Sequence, residues 1–197
     1  MKTLILGANG QIAQWVVADS TDTDFVLTSK HASDGVMALD AADSKALIAA
    51  MQGVDVVYAN LNDGGRTPRI ARTIVHAMHE TGVKRLIWIA TIGIYDEISA
   101  ANKDLVRLQL GTIHDENAYM GQQVMAAQII EASDVNYTII RPNELTTEPE
   151  IHPVIFQRDH EELRAGGPIT RRSVAAYVRE LIADPTLDVR ASVAISE

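Results

Sequence analysis

Short apolar runs alternate along this chain with longer stretches whose apolar residues recur at helical spacing, almost to the end. The run over 4–6 reads as a strand, is cut by Gly7 and Gly10, and leads into a helix-like stretch over 11–19. Strands follow over 25–28 and, briefly, 36–39. Asp43 or Ser44 can then cap a helix that reaches Met51, with Gly53 just beyond it. The valine-rich run 54–59 predicts a buried strand. Thr67 and Pro68 open the next helix, because a proline's missing N–H costs nothing in the first turn. Ile70, Ile74, Val75 and Met78 keep its spacing, and Gly82 ends it. A strand over 86–90, a helix over 116–132, a strand over 136–141, a helix over 173–183 and a strand over 192–195 complete the series.

Parallel neighbours need a crossover of a dozen or more residues, so strands joined by helices imply a mostly parallel sheet covered on both faces. The expected fold is α/β: a single Rossmann-type, doubly wound domain over 1–197, without linker or repeat. Two stretches, 92–115 and 143–170, break the rhythm with mixed polarity and scattered Pro and Gly. Ligands in such folds lie beyond the carboxyl ends of the strands, so these stretches are expected to roof the substrate side.

The central constellation is the loop Gly7, Ala8, Asn9, Gly10, Gln11, Ile12, Ala13, set directly between a strand and a helix. Gly7 permits the tight turn, Gly10 lets the backbone approach a pyrophosphate, and the small Ala13 lets the helix pack close to the sheet. Free N–H groups and the positive end of the helix dipole then face the phosphates, so Gly7, Asn9, Gly10, Gln11 and Ile12 are the candidate phosphate-side residues. A glycine turn alone is a weak signal; its place between a first strand and first helix of a parallel sheet points to a nicotinamide dinucleotide. Discrimination between the two dinucleotides is read near the end of the second strand, here Thr28, Ser29, Lys30, His31. No acid stands there to bind a free ribose 2′-hydroxyl; Asp22 and Asp24 precede the strand and Asp34 lies past its end. Ser29 and Lys30 suit a 2′-phosphate, which favours NADP(H) over NAD(H), although Lys30 also fits a solvated loop lysine.

Composition narrows the partners. A net charge of −9 argues against non-specific nucleic-acid binding, which needs cations to displace phosphate counterions. The absence of cysteine excludes disulfides, cysteine nucleophiles and thiolate metal sites. No run approaches the roughly 20 apolar residues of a membrane helix, and the first residues do not form a signal segment. The expectation is a soluble cytoplasmic protein, monomer or homodimer, that acts on a small molecule and holds no metal. His76 and His79 lie three apart on one helix without a recognisable third ligand, so a solvated face is the better reading. The same holds for Arg66, Arg69 and Arg72. Asp96 with Glu97, and Glu161 with Glu162, are adjacent in sequence and make no evident acid–base pair. Arg171 is open to two roles, contacting substrate or bonding helix-end carbonyls.

With these residues in view, the chain resembles the atypical short-chain dehydrogenase/reductases, in particular the small NAD(P)H-binding, NmrA-like proteins, over nearly its whole length. Its glycine loop is similar to their G-x-x-G-x-x-G/A. Asp40 resembles the acid that holds the adenine, and Ala59 and Asn60 follow the fourth strand where that family lines the ribose. Residues 89–95 resemble the S-S-x-G-x-Y stretch, and 136–142 the D-Y-T-I-x-R-P signature, which would set Pro142 and Asn143 near the nicotinamide. Ile169, Thr170, Arg171, Val174 and Ala175 are similar to I-S-R-x-D-V-A, with Ser173 in place of the acid.

The resemblance implies a tyrosine acid–base at Tyr119, a carbonyl-polarising hydroxyl at Thr91, and a lysine four residues after the tyrosine, where this chain has Gln123. A tyrosine titrates near ~10 unless a cation or hydrogen bonds stabilise the phenolate. Glutamine can bond a ribose hydroxyl but carries no charge. Tyr119 is therefore expected to donate a proton more readily than to remove one, so that reduction stays feasible and alcohol oxidation is handicapped. A purely packing role for Tyr119 and a backbone-satisfying role for Thr91 are the competing readings. The functions implied are an NAD(P)H-dependent reductase of an activated acceptor such as a quinone, flavin or carbonyl compound, or a dinucleotide sensor without turnover. A sugar epimerase or dehydratase is expected to need a larger C-terminal substrate region.

Overall fold

The buried aliphatic runs form the centre of the molecule, described by a computed structural model over residues 1–21, 24–163 and 166–197. In chain order the first half contains β1 (Lys2–Leu6), α1 (Gln11–Ala18), β2 (Asp24–Ser29), β3 (Met37–Ala38), α2 (Ser44–Ala50), β4 (Val56–Ala59), α3 (Thr67–Thr81) and β5 (Arg85–Ile89). The second half adds α4 (Ala100–Leu110), α5 (Tyr119–Glu131), β6 (Asn136–Pro142), β7 (Leu145–Thr146), β8 (Ile155–Gln157), β9 (Ile169–Thr170), α6 (Arg171–Ala183) and β10 (Ala191–Ser196).

Among the described residues, eight strands form one sheet in the order β3-β2-β1-β4-β5-β6-β10-β8, parallel throughout except for the antiparallel β10–β8 edge. This is the Rossmann-type α/β fold expected from the alternation of strands and helices. Successive side chains of a strand point to opposite faces, so β1 sends Leu4 and Leu6 to one core and Ile5 to the other. The first core holds Leu47, Ile74, Met78 and Ile130 from α2, α3 and α5; the second holds Val16, Val178 and Leu181 from α1 and α6. Burial on both faces is why runs such as 4–6 in β1 and 56–59 in β4 are apolar at consecutive positions rather than at alternate ones.

The two stretches read as irregular hold more order than expected. The first contains α4, eleven residues long, and none of them is buried. Its apolar face is weak: Val106 and Leu110 pack against the first core only part-buried, while Leu105 and Leu108 are exposed. The second contains β7 and β9, a separate two-stranded parallel pair, and the edge strand β8.

The direction of strand order reverses at β1 and β4, whose carboxyl ends open the crevice where ligands bind in such sheets. At that point Asn60 N donates to Leu6 O, while Gly7 N and Ala8 N both donate to Thr28 O at 2.9 Å, tying the loop to its neighbours on both sides.

Candidate functional site

The crevice starts from the glycine loop. Gly7 has φ +85°, and a Cβ there would run into the backbone carbonyl of Asn60. Gly10, the residue before α1, is extended and offers no side chain to cap the helix, and no acid stands in the first turn. A helix's first N–H groups have no partner within the helix, so those of α1 face the crevice uncapped. A Cβ on Gly10 would collide with Asn60 Nδ2 and force that side chain aside. Bare amides, a helix dipole and a backbone free of side-chain bulk at Gly7 and Gly10 fit a dinucleotide pyrophosphate. The crevice has a volume of about 520 Å³, and Gly7, Gly10, Gln11, Ile12, Ser29, Lys30, Asp40 and Asn60 line it. Asn9 does not: its Nδ2 donates to His31 O and its Oδ1 accepts from Ser33 Oγ, bracing the loop after β2. Ala59 is buried in the sheet and supports the crevice floor from behind.

At one end of the crevice four charged side chains interlock. Lys30 Nζ lies 3.0 Å from Asp63 Oδ1, Arg66 bonds Asp63, and Arg66 Nη1 donates to Asp40 Oδ2 at 2.9 Å. Asp40 Oδ1 also accepts from Ala42 N. The Arg66 hydrogen bond, with that of Ala42 N, holds the Asp40 carboxyl below the usual range. Asp63 is also lowered: burial opposes its charge, but Lys30 and Arg66 outweigh it. Arg66 therefore belongs to this cluster and not to a solvated helix face, whereas Arg69 and Arg72 are exposed. Asp63 belongs to no motif in the sequence, and only the folded chain brings it to Lys30 and Arg66. Asp22 lies outside the described residues.

At the other end the crevice opens into a second cavity of about 800 Å³, and Ala90, Tyr119, Leu145 and Arg171 line both. Thr91, Pro142 and Asn143 line the second cavity and not the crevice. Tyr119 is the first residue of α5, and burial raises its pKa above the ordinary value. Gln123 lies one turn further and is 1% exposed; among the described residues its Oε1 has no hydrogen-bond partner, and it reaches neither cavity wall. The buried amide brings no charge to Tyr119. The stretch 92–115 contributes Ile98, Asn102, Leu105 and Val106 to this cavity, and 143–170 contributes Glu144 and Leu163.

A buried cluster fixes both stretches to the sheet. Arg141 of β6 bonds Glu97, both side chains fully buried, and donates to Asp159 O and Ser192 O at 3.2 and 3.3 Å. Glu97 Oε2 accepts from Tyr95 N, and the Tyr95 ring stacks on His160 at 3.5 Å between centroids. Glu97 is thus a structural acid, not half of a catalytic pair with the exposed Asp96. His79 bonds Asp134 while His76 is exposed, and no metal-binding cluster occurs among the described residues. No helix among them is long and apolar enough to cross a membrane.

Comparison with known proteins agrees with this geometry. The chain matches the NAD(P)H-binding family over residues 7–185. It is 28% identical over 201 residues to a protein of Bacillus subtilis (strain 168) described as an uncharacterized sugar epimerase, YhfK, covering 90% of this chain and 86% of that one. A Rossmann-fold NAD(P)-binding family protein from Shigella flexneri is 29% identical with a TM-score of 0.80, covering 100% of this chain and 93% of that one. A short-chain dehydrogenase/reductase from Veillonella parvula DSM 2008, solved in complex with NADP, shares the fold at 21% identity and a TM-score of 0.84, covering 100% and 94%. With the glycine loop, the switch-point crevice and a family match spanning nearly all of the chain, this protein belongs to the NAD(P)H-binding family.

Proposed function

We propose that the protein is an NADP(H)-dependent reductase of a small activated acceptor such as a quinone, a flavin or a carbonyl compound. The observation that carries the reading is the position of Tyr119, on the wall shared by the dinucleotide crevice and the second cavity. In this reading the bound dinucleotide supplies hydride. Tyr119 supplies the proton from its hydroxyl, Thr91 polarises the acceptor, and Asn143 and Pro142 shape the floor. Burial keeps Tyr119 protonated, which suits a donor. An epimerase that first oxidises a sugar needs that tyrosine as a base, a role the uncharged Gln123 does not support. Preference for NADP(H) is supported by two cations at the crevice end, Lys30 and Arg66, and by the lack of an acid at the end of β2. A 2′-phosphate there would replace Asp63 as their partner.

A second reading, a dinucleotide sensor without turnover, is favoured by the same Gln123. Titration with NADPH and NADH followed by tryptophan fluorescence tests binding. Loss of reduced-nicotinamide absorbance with quinones, flavins and aldehydes tests turnover. Tight binding without oxidation of NADPH by any acceptor would replace the reductase reading with the sensor.

A further inference from the structure

We infer that Arg171 anchors a carboxylate in the second cavity, so that the acceptor is a carboxylic acid with an apolar body. Arg171 begins α6 directly after β9 and lines both cavities where they meet. Its Nη1 donates to Leu145 O and Thr146 O at 3.2 and 2.8 Å, which fixes one edge of the guanidinium against β7. Nε and Nη2 make no hydrogen bond among the described residues, and no carboxylate pairs with the group. The other cations at the site differ: Lys30, on the crevice wall, and Arg66 are both matched by acids. Glu144 lines the same cavity, yet among the described residues no carboxylate pairs with this half-buried cation. Its two unspent donors are not buried, so a ligand in the cavity can reach them. A guanidinium with two adjacent donors free is shaped for a carboxylate, which can accept from both.

The walls of the same cavity describe the rest of the ligand. Ile98, Leu105, Val106 and Leu110 give it an apolar side, and Tyr119 stands with Arg171 at its mouth. An acid whose carboxylate reaches Arg171 would lay its body along those residues. The inference rests on the reductase reading only in calling this ligand the acceptor. The competing role for Arg171 is the dinucleotide's own phosphate, since the side chain also faces the crevice.

The test is calorimetric titration of the NADP⁺-saturated protein with 2-naphthoate and with the neutral 2-naphthamide. Wild type is expected to bind the acid at least roughly tenfold more tightly, the weight of one charge-assisted hydrogen bond. Arg171→Gln should bring the two ligands to equal affinity while changing NADP⁺ affinity by less than about threefold, and Arg171→Lys should retain part of the preference. Equal binding of acid and amide by wild type, or binding of neither, overturns the inference. So does a variant that loses NADP⁺ affinity while the acid-to-amide ratio persists, which would assign Arg171 to the cofactor. If no dinucleotide binds, the reductase reading fails by itself, and the same titration without cofactor still decides the carboxylate site.

Discussion

A Gly10→Ala substitution adds one methyl group just before α1. The backbone there, at φ −73° and ψ 145°, is extended and open to alanine, so no conformational strain is added. The new Cβ would lie 3.1 Å from Gly7 O and would press on Asn60 Nδ2, the far end of a side chain that can turn aside. Folding stability should therefore change by no more than about 1 kcal/mol. The methyl displaces the Asn60 side chain, which lines the crevice, and so disturbs the surface proposed for the pyrophosphate. Displacing it from one charge-assisted hydrogen bond costs about 1.5–3 kcal/mol, a loss of roughly ten- to a hundredfold in affinity. Gly7→Ala supplies the opposite case. Its φ of +85° is unsuited to alanine, and its Cβ would meet backbone rather than a movable side chain. Strain of about 1–3 kcal/mol and overpacking of about 1–3 kcal/mol together lower the melting temperature by roughly 5–20 °C in a chain of this size. Thermal melts followed by circular dichroism, paired with calorimetric titration by NADPH, measure both effects. A folded Gly10→Ala protein that binds NADPH as tightly as wild type would refute the placement of the phosphates at this loop.

Tyr119→Phe should slow NADPH-dependent reduction by roughly a hundredfold and leave NADPH affinity within about twofold; an undiminished rate would remove Tyr119 as the proton donor. Because burial raises the Tyr119 pKa, its protonated form is retained throughout the range below ~10, so the reduction rate should show no alkaline loss from this group there. Gln123→Lys should introduce such a loss, together with alcohol-oxidising activity, and an unchanged pH profile would count against the electrostatic argument. Glu97→Gln strands the buried Arg141 charge and should cost about 3–5 kcal/mol in urea denaturation; a change below about 1 kcal/mol would show that the pair does not hold the two roofing stretches. Joint replacement of Lys30 and Arg66 by alanine should weaken NADPH roughly tenfold or more and leave NADH nearly unchanged; an equal loss for both cofactors would overturn the proposed preference.

The central strands and their helices could be read directly because two-sided burial writes itself into consecutive residues. Leu4, Ile5 and Leu6 are apolar because the sheet has a core on each side. The glycine loop was equally legible, since the turn, the amides and the helix start are contiguous and need no distant partner. α4 was not, because a helix that buries none of its residues has no reason to carry a periodic stripe. β8 was hidden for a related reason: Ile155 and Phe156 pair with β10 at an exposed edge, and nothing local announces a partner about forty residues away. The side chains proposed to set specificity are the hardest to see. Asp63 meets Lys30 only because β4 ends beside β1, and Arg171 meets the Leu145 and Thr146 carbonyls only because β7 pairs with β9. Each such segment contributes one residue to the switch point, so no spacing rule joins them. Gln123 falls between these cases. Its departure from the lysine of the resembling family was visible, but only packing shows it sealed in α5 with an unmet carbonyl oxygen. A sealed neutral amide cannot borrow charge from solvent to stabilise a phenolate, so the direction of proton transfer proposed for Tyr119 rests on the burial of its neighbour as much as on that neighbour's identity.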